Sequence, residues 1–187
     1  MVYVAKLKQI PVRYQTFPRT VNPPEFAEQV AKIFRDHEHQ ISTTILKKGL
    51  TSDKVLQVIR ADLEKVGFEC EKSKTASGKI NRPVLFGENG KTKVSYDIDA
   101  SNPEWHAVLE VEAGRAWKGN AIYRDLIRAS VMVGVKFLIL AVPNVYTYKV
   151  SGKTSTSTDY KNTWNLADVL YGNDSFRLPY QLMLIGY

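Results

Sequence analysis

The chain has 187 residues, 44% hydrophobic and 11% aromatic, which suits one folded domain with a real core and excludes an intrinsically disordered protein. No apolar run is long enough to span a bilayer, the alternating start MVYVAKLKQIPVRY lacks the apolar stretch of a signal peptide, and the single cysteine, Cys70, excludes an internal disulfide, so an intracellular, cytoplasmic protein is expected. Lys and Arg number 26 against 19 Asp and Glu, a net +7 that favours a polyanionic partner, nucleic acid foremost.

In chain order, Val2 to Tyr14 reads as one or two extended pieces. Residues 22–46 read as a helix capped by Asn22, with Pro23 in its first turn and Phe26, Val30, Ile33, Phe34, His37 and Ile41 on one stripe. A second helix fits 51–67. Thr51 or Ser52 caps it, Val55, Leu56, Ile59, Leu63 and Val66 form its apolar face, and Gly67 ends it. Three strand-like pieces follow, FECEKS (68–73), KTKVSYDIDA (91–100) and WHAVLEVEA (105–113), with turn chemistry at GENG (87–90) and SNPE (101–104). A third helix fits 120–134, with Ile122, Leu126, Ala129 and Val133 on one face and Gly134 as its stop. KFLILAVP (136–143) is a continuous apolar run, as in a strand buried on both sides. The tail adds a polar loop (151–163), a short helix around Leu166–Leu170 and a last strand, YQLMLIGY. The whole reads as an α/β chain of one domain, a mixed central sheet flanked by helices. Residues 52–143 form an α-β-β-β-α-β core, with a helical elaboration before it and a strand after it.

The acids in this core share a pattern. Along 105–113, Ala107, Leu109, Val111 and Ala113 lie on one face, and His106, Val108, Glu110 and Glu112 on the other. Along 91–100, Val94, Tyr96 and Ile98 oppose Lys93, Ser95, Asp97 and Asp99. A hairpin through SNPE with both apolar faces pointing the same way brings the four carboxylates together. Same-face neighbours would stand roughly 6–7 Å apart along a strand and about 4.5–5.5 Å across strands. Like charges at that spacing repel unless a cation fills the site, and Mg²⁺ prefers oxygen ligands of this kind. Register leaves a choice. A two-residue turn at Asn102-Pro103 sets Asp97 diagonal to Glu110, and a turn wider by two sets Asp97 opposite Glu110 with Asp99 diagonal.

YDIDASNPEWHAVLEVEAGR followed by the helix NAIYRDLIRASV resembles the PD-(D/E)xK nuclease superfamily, over roughly residues 52–143. The resemblance implies a Mg²⁺-dependent endonuclease acting on double-stranded DNA, most like a type II restriction enzyme, working as a homodimer with no membrane role. It places Asp99, or alternatively Asp97, and Glu110 on the metal, with the Val111 carbonyl as a further ligand. Glu112 stands where the family usually has lysine, as in some type II enzymes with Glu or Gln there, and would act on the attacking water. Glu64 matches an extra acidic ligand of some members. Arg115, Lys118, Arg124 and Arg128 are the candidate DNA contacts, with Lys72, Lys74, Lys79 and Arg82 crowding a nearby loop. The other readings are a non-catalytic nucleic-acid-binding protein with a degenerate core, and a structural or partner-binding domain with a solvated acid face.

Overall fold

The computed structural model describes residues 8–46 and 48–187. The sequence expectation for Val2 to Leu7 therefore lies outside the described residues. The strands are β1 (Arg13–Phe17), β2 (Glu69–Cys70), β3 (Ile80–Phe86), β4 (Thr92–Ile98), β5 (Ala100–Asn102), β6 (Ala107–Val111), β7 (Phe137–Val142), β8 (Tyr146–Val150), β9 (Lys153–Ser157) and β10 (Gln181–Gly186). The helices are α1 (Ala27–Asp36), α2 (Glu38–Ile41), α3 (Ser52–Lys65), α4 (Ala121–Val131) and α5 (Asp159–Tyr171).

Six strands form a mixed sheet in the order β1-β10-β7-β6-β5-β2. β7 runs parallel to both β6 and β10, and the outer pairings are antiparallel. The apolar run in β7 is central and buried on both faces, which satisfies its backbone and side chains together. Residue parity sorts the core into two layers. On one face Leu109, Val111, Ile139 and Ile185 pack beneath α1 and α3, through Val30, Phe34, Ile59 and Leu63. On the other, Val108, Leu138, Leu140 and Leu184 pack against Ile122 and Leu126 of α4 and Ala167 of α5. Each such fully buried aliphatic side chain contributes about 1.5–3 kcal/mol of hydrophobic stabilisation.

Several local expectations are corrected. The first helix starts at Ala27 rather than after Asn22, because Pro23 and Pro24 hold the preceding residues out of the helical region and Ala27 N–H bonds back to the Pro24 carbonyl. It also breaks at His37, whose φ of −105° and ψ of 7° separate α1 from α2. His37 leaves the apolar stripe and meets Asp62 of α3, Nε2 to Oδ2 at 2.7 Å. The strand expected at 68–73 shrinks to two residues. Ile80–Phe86, read as part of a loop, pairs with β4 as a separate two-stranded ribbon, and GENG is its turn. Val133 is exposed, since α4 ends at Val131 and the chain turns at Gly134 (φ +76°). The polar loop 151–163 is instead half of a β8–β9 hairpin and the start of α5.

Candidate active site

Asp99 falls between β4 and β5, where the chain leaves the outer ribbon and joins the main sheet. That change of partner reverses the side-chain faces. Ile98 packs in the α4 layer beside Val108, while Ala100 packs in the opposite layer beside Leu109. The expectation that Ile98 shares a face with Leu109 and Val111 therefore fails, and with it the convergence of all four acids. Asp97 stays on the ribbon, exposed and ion-paired to Lys79.

Asp99 and Glu110 do come together. β5 pairs with β6 as Asn102↔Ala107, Ser101↔Val108 and Ala100↔Leu109. Continuing that register by one residue sets Asp99 opposite Glu110. The connecting loop is Pro103–His106, displaced one residue from the wider of the two expected turns, because Asn102 belongs to the strand and its side chain caps the loop by accepting from Trp105 N–H at 3.0 Å. Asp99 Oδ2 also accepts from Val111 N–H at 2.8 Å, which fixes the carboxylate against β6.

The acid face of β6 is not a solvent face. It shares the side of Val108, the side covered by α4. Two acids missing from the sequence reading complete the cluster. Asp125 of α4 is 1% exposed, and Glu71, just past β2, is 6% exposed with its N–H on the Asp99 carbonyl at 2.7 Å. Asp125 was legible in principle, because it sits at helical spacing within the stripe Ile122, Leu126, Ala129. Glu71 carries no comparable signal, adjoining only a two-residue strand at the end of the sheet.

Burial and repulsion between carboxylates set the protonation of Asp99, Glu110 and Glu112. Burial pushes Asp99 up to about 6, with Glu71 and Asp125 adding to the rise and the Val111 N–H and Lys74 opposing it. Burial, then Asp99 and Asp125, hold Glu110 well above the usual carboxylate range. Burial, then Asp125, push Glu112 up to about 7. Burial likewise raises Asp125. Two cations partly compensate. Arg124 donates to Glu112 Oε1 at 2.6 Å and to Asp125 Oδ1 at 2.8 Å, and Lys74 bonds Glu71 Oε2 at 2.8 Å.

The remaining candidates lie as follows. Glu64 is exposed on α3 and its carboxylate makes no ion pair among the described residues. Arg115 and Lys118 are exposed in the segment between β6 and α4, Arg115 with φ +60°. Arg124 is engaged by the acids, and the Arg128 guanidinium lies 5.2 Å from the Tyr96 ring centroid.

Among the described residues no three His, Cys, Asp or Glu side chains converge as a ready-made metal cage. The donors present nevertheless suit a hard cation that keeps most of its waters and takes one or two carboxylates. All are oxygens, Asp99 is close enough to Glu110 to raise it, and Asp125 Oδ2 is buried without a hydrogen-bond donor.

Over residues 2–187 the chain matches the model of a family described as "Putative halobacteria restriction endonuclease". The chain belongs to this family. The resemblance to the PD-(D/E)xK superfamily read from the acid motif is in keeping with that membership, as is the mixed sheet flanked by helices on both faces. No curated protein matches the chain. Among solved structures, restriction endonuclease BglII complexed with a DNA 16-mer is similar at 15% identity, covering 95% of this chain and 78% of that one, with a TM-score of 0.48.

Proposed function

We propose that this member of the restriction endonuclease family is a Mg²⁺-dependent endonuclease that hydrolyses phosphodiester bonds of double-stranded DNA, in the manner of a type II restriction enzyme acting as a homodimer. The observation that carries this reading is the buried group of carboxylates at the end of the β5–β6 pairing, where Asp99 accepts from Val111 N–H and its charge raises Glu110. Repulsion among buried carboxylates is costly to the fold, and a divalent cation relieves it. Family membership supports DNA as the substrate.

Asp99 and Glu110 would hold the ion, with the Val111 carbonyl as a further ligand. Asp97 is the less favoured alternate to Asp99, being paired to Lys79, and Glu64, exposed on α3, is the less favoured extra ligand. When bound, Mg²⁺ supplies Lewis acidity at the phosphate and neutralises charge that builds on the leaving oxygen. The chain's own groups do the rest. Glu112, in place of the family lysine, accepts a proton from the water that attacks phosphorus, and the phosphorus–oxygen bond to the sugar then breaks. Arg124 fixes the direction of the Glu112 carboxylate. Arg115 and Lys118 lie exposed just beyond the acids, where they would meet phosphates flanking the scissile one.

The test is incubation of plasmid DNA with the protein in Mg²⁺ or in EDTA, beside Glu110→Ala. Discrete fragments formed only with Mg²⁺ and only by the unsubstituted protein support the reading. Retardation of the DNA without cleavage supports the non-catalytic alternative.

A further inference from the structure

The hairpin β8–β9 has no role in the chemistry described above, and its position and composition give it another. It rises from the same edge of the sheet as the acids. β6 and β7 are parallel with Val111 beside Ala141, so both strands end at that edge, and β8 begins four residues beyond the end of β7. The base of the hairpin is tied to the segment that follows Glu112. A Cβ placed on Gly114 would lie 3.3 Å from the Tyr146 ring, and Asp159, just after β9, accepts from Trp117 N–H at 3.4 Å.

The hairpin is tightly turned and two-faced. Ser151 (φ +48°) and Gly152 (φ +77°) make a two-residue turn of the kind that matches strand twist. The inner face carries Tyr146 and Tyr148, stacked at 5.6 Å, with Ser155 bonded to the Tyr148 hydroxyl. The outer face carries two cross-strand pairs, Thr147↔Thr156 and Lys149↔Thr154, and all four residues are exposed. From Pro143 to Thr158 there are two lysines and no carboxylate. That composition suits a polyanion. A two-stranded ribbon of this size also fits the major groove of B-DNA, about 12 Å wide, where threonine hydrogen-bonds base edges through its hydroxyl and meets thymine methyl groups through its own. The other ribbon, β3–β4, is less suited, since it bears Asp97 on a strand and Glu88 at its turn.

We propose that the outer face of β8–β9 enters the DNA major groove and reads sequence, with Thr147, Thr154 and Thr156 toward base edges and Lys149 toward phosphate. This rests on the reading of duplex DNA as the substrate. The test measures binding rather than cutting. The whole protein, Lys149→Ala and Thr147→Ala/Thr156→Ala are each titrated against a random-sequence duplex pool, in EDTA and in Ca²⁺, and the bound DNA is sequenced. Thermal melting confirms that each variant is folded. Lys149→Ala should bind about 3–10-fold more weakly and lower the salt slope by about one. The threonine pair variant should select a different sequence at one or more positions. Folded variants with unchanged affinity, salt slope and selected sequence would overturn the inference, as would an unsubstituted protein that selects no sequence. Selection through the hairpin without Mg²⁺-dependent cleavage upholds the inference and defeats the nuclease reading. Cleavage with both hairpin variants behaving as the unsubstituted protein does the reverse.

Discussion

Glu110 sits where an ionised carboxylate is least comfortable, buried on a central strand with Asp99 and Asp125 near enough to raise it. Replacing it with glutamine keeps the shape and removes one charge. Glu110→Gln should therefore raise the stability of the metal-free protein at pH 8 by about 1 kcal/mol, while lowering cleavage by at least ~100-fold. Chemical denaturation in EDTA checks the first half, and a loss of stability there would contradict the account. The same burial predicts a pH effect. Asp99 at about 6 and Glu112 at about 7 both stand above their ordinary values of 3.8 and 4.5. Both hold a proton more tightly folded than unfolded, so their contribution is complete below about pH 4 and is lost as pH rises through 6 and 7. Metal-free protein should melt lower at pH 8 than at pH 5, by roughly 2–12 °C for about 1–3 kcal/mol in a chain of this size. Asp62 and Glu28, whose partners hold them low, act in the opposite sense only at more acid pH. Melting curves across that range, with and without EDTA, measure the effect.

At the scale of elements, β7 is the strand on which the site depends, because it fixes β6 on one side and β10 on the other. Leu140 pairs in register with Glu110 and packs fully buried under α4. Leu140→Ala should cost about 2–5 kcal/mol in a denaturant titration, with a matching loss of whatever the acid site does. The sequence was most readable where periodicity and burial agree. The stripe of α3, its Thr51 cap and the unbroken apolar β7 all stand as expected. It was least readable where a contact far along the chain decides the outcome. Nothing local distinguishes Thr92–Ile98 as half of a ribbon from Ala100–Asn102 as part of the main sheet, yet the switch at Asp99 separates Asp97 from Asp99. The motif offers both aspartates as candidates, and only the pairing of Asn102 with Ala107 sets Asp99 opposite Glu110. Asp125 carries a periodicity signal, its place within the stripe Ile122, Leu126, Ala129, but nothing in the sequence ties that stripe to the acids of β6.

On the scale of the whole molecule, the two faces of the sheet are unequal. The α1–α3 side is an apolar layer, and the α4–α5 side carries the acids at the end where β6 and β7 stop. Arg115, Lys118, Lys149 and Lys153 are exposed in the segments leaving that edge. The net +7 of the chain thus has a local counterpart around a buried negative site, an arrangement suited to a polyanionic partner. Whether Asp99 and Glu110 hold a catalytic metal is decided by Mg²⁺-dependent plasmid cleavage with Asp99→Asn, Glu110→Gln and Asp97→Asn in parallel with the unsubstituted protein. That assignment predicts discrete fragments from the unsubstituted protein and from Asp97→Asn, and at least ~100-fold slower cleavage by the other two. Full activity in Asp99→Asn or Glu110→Gln, or cleavage that persists in EDTA, would contradict it.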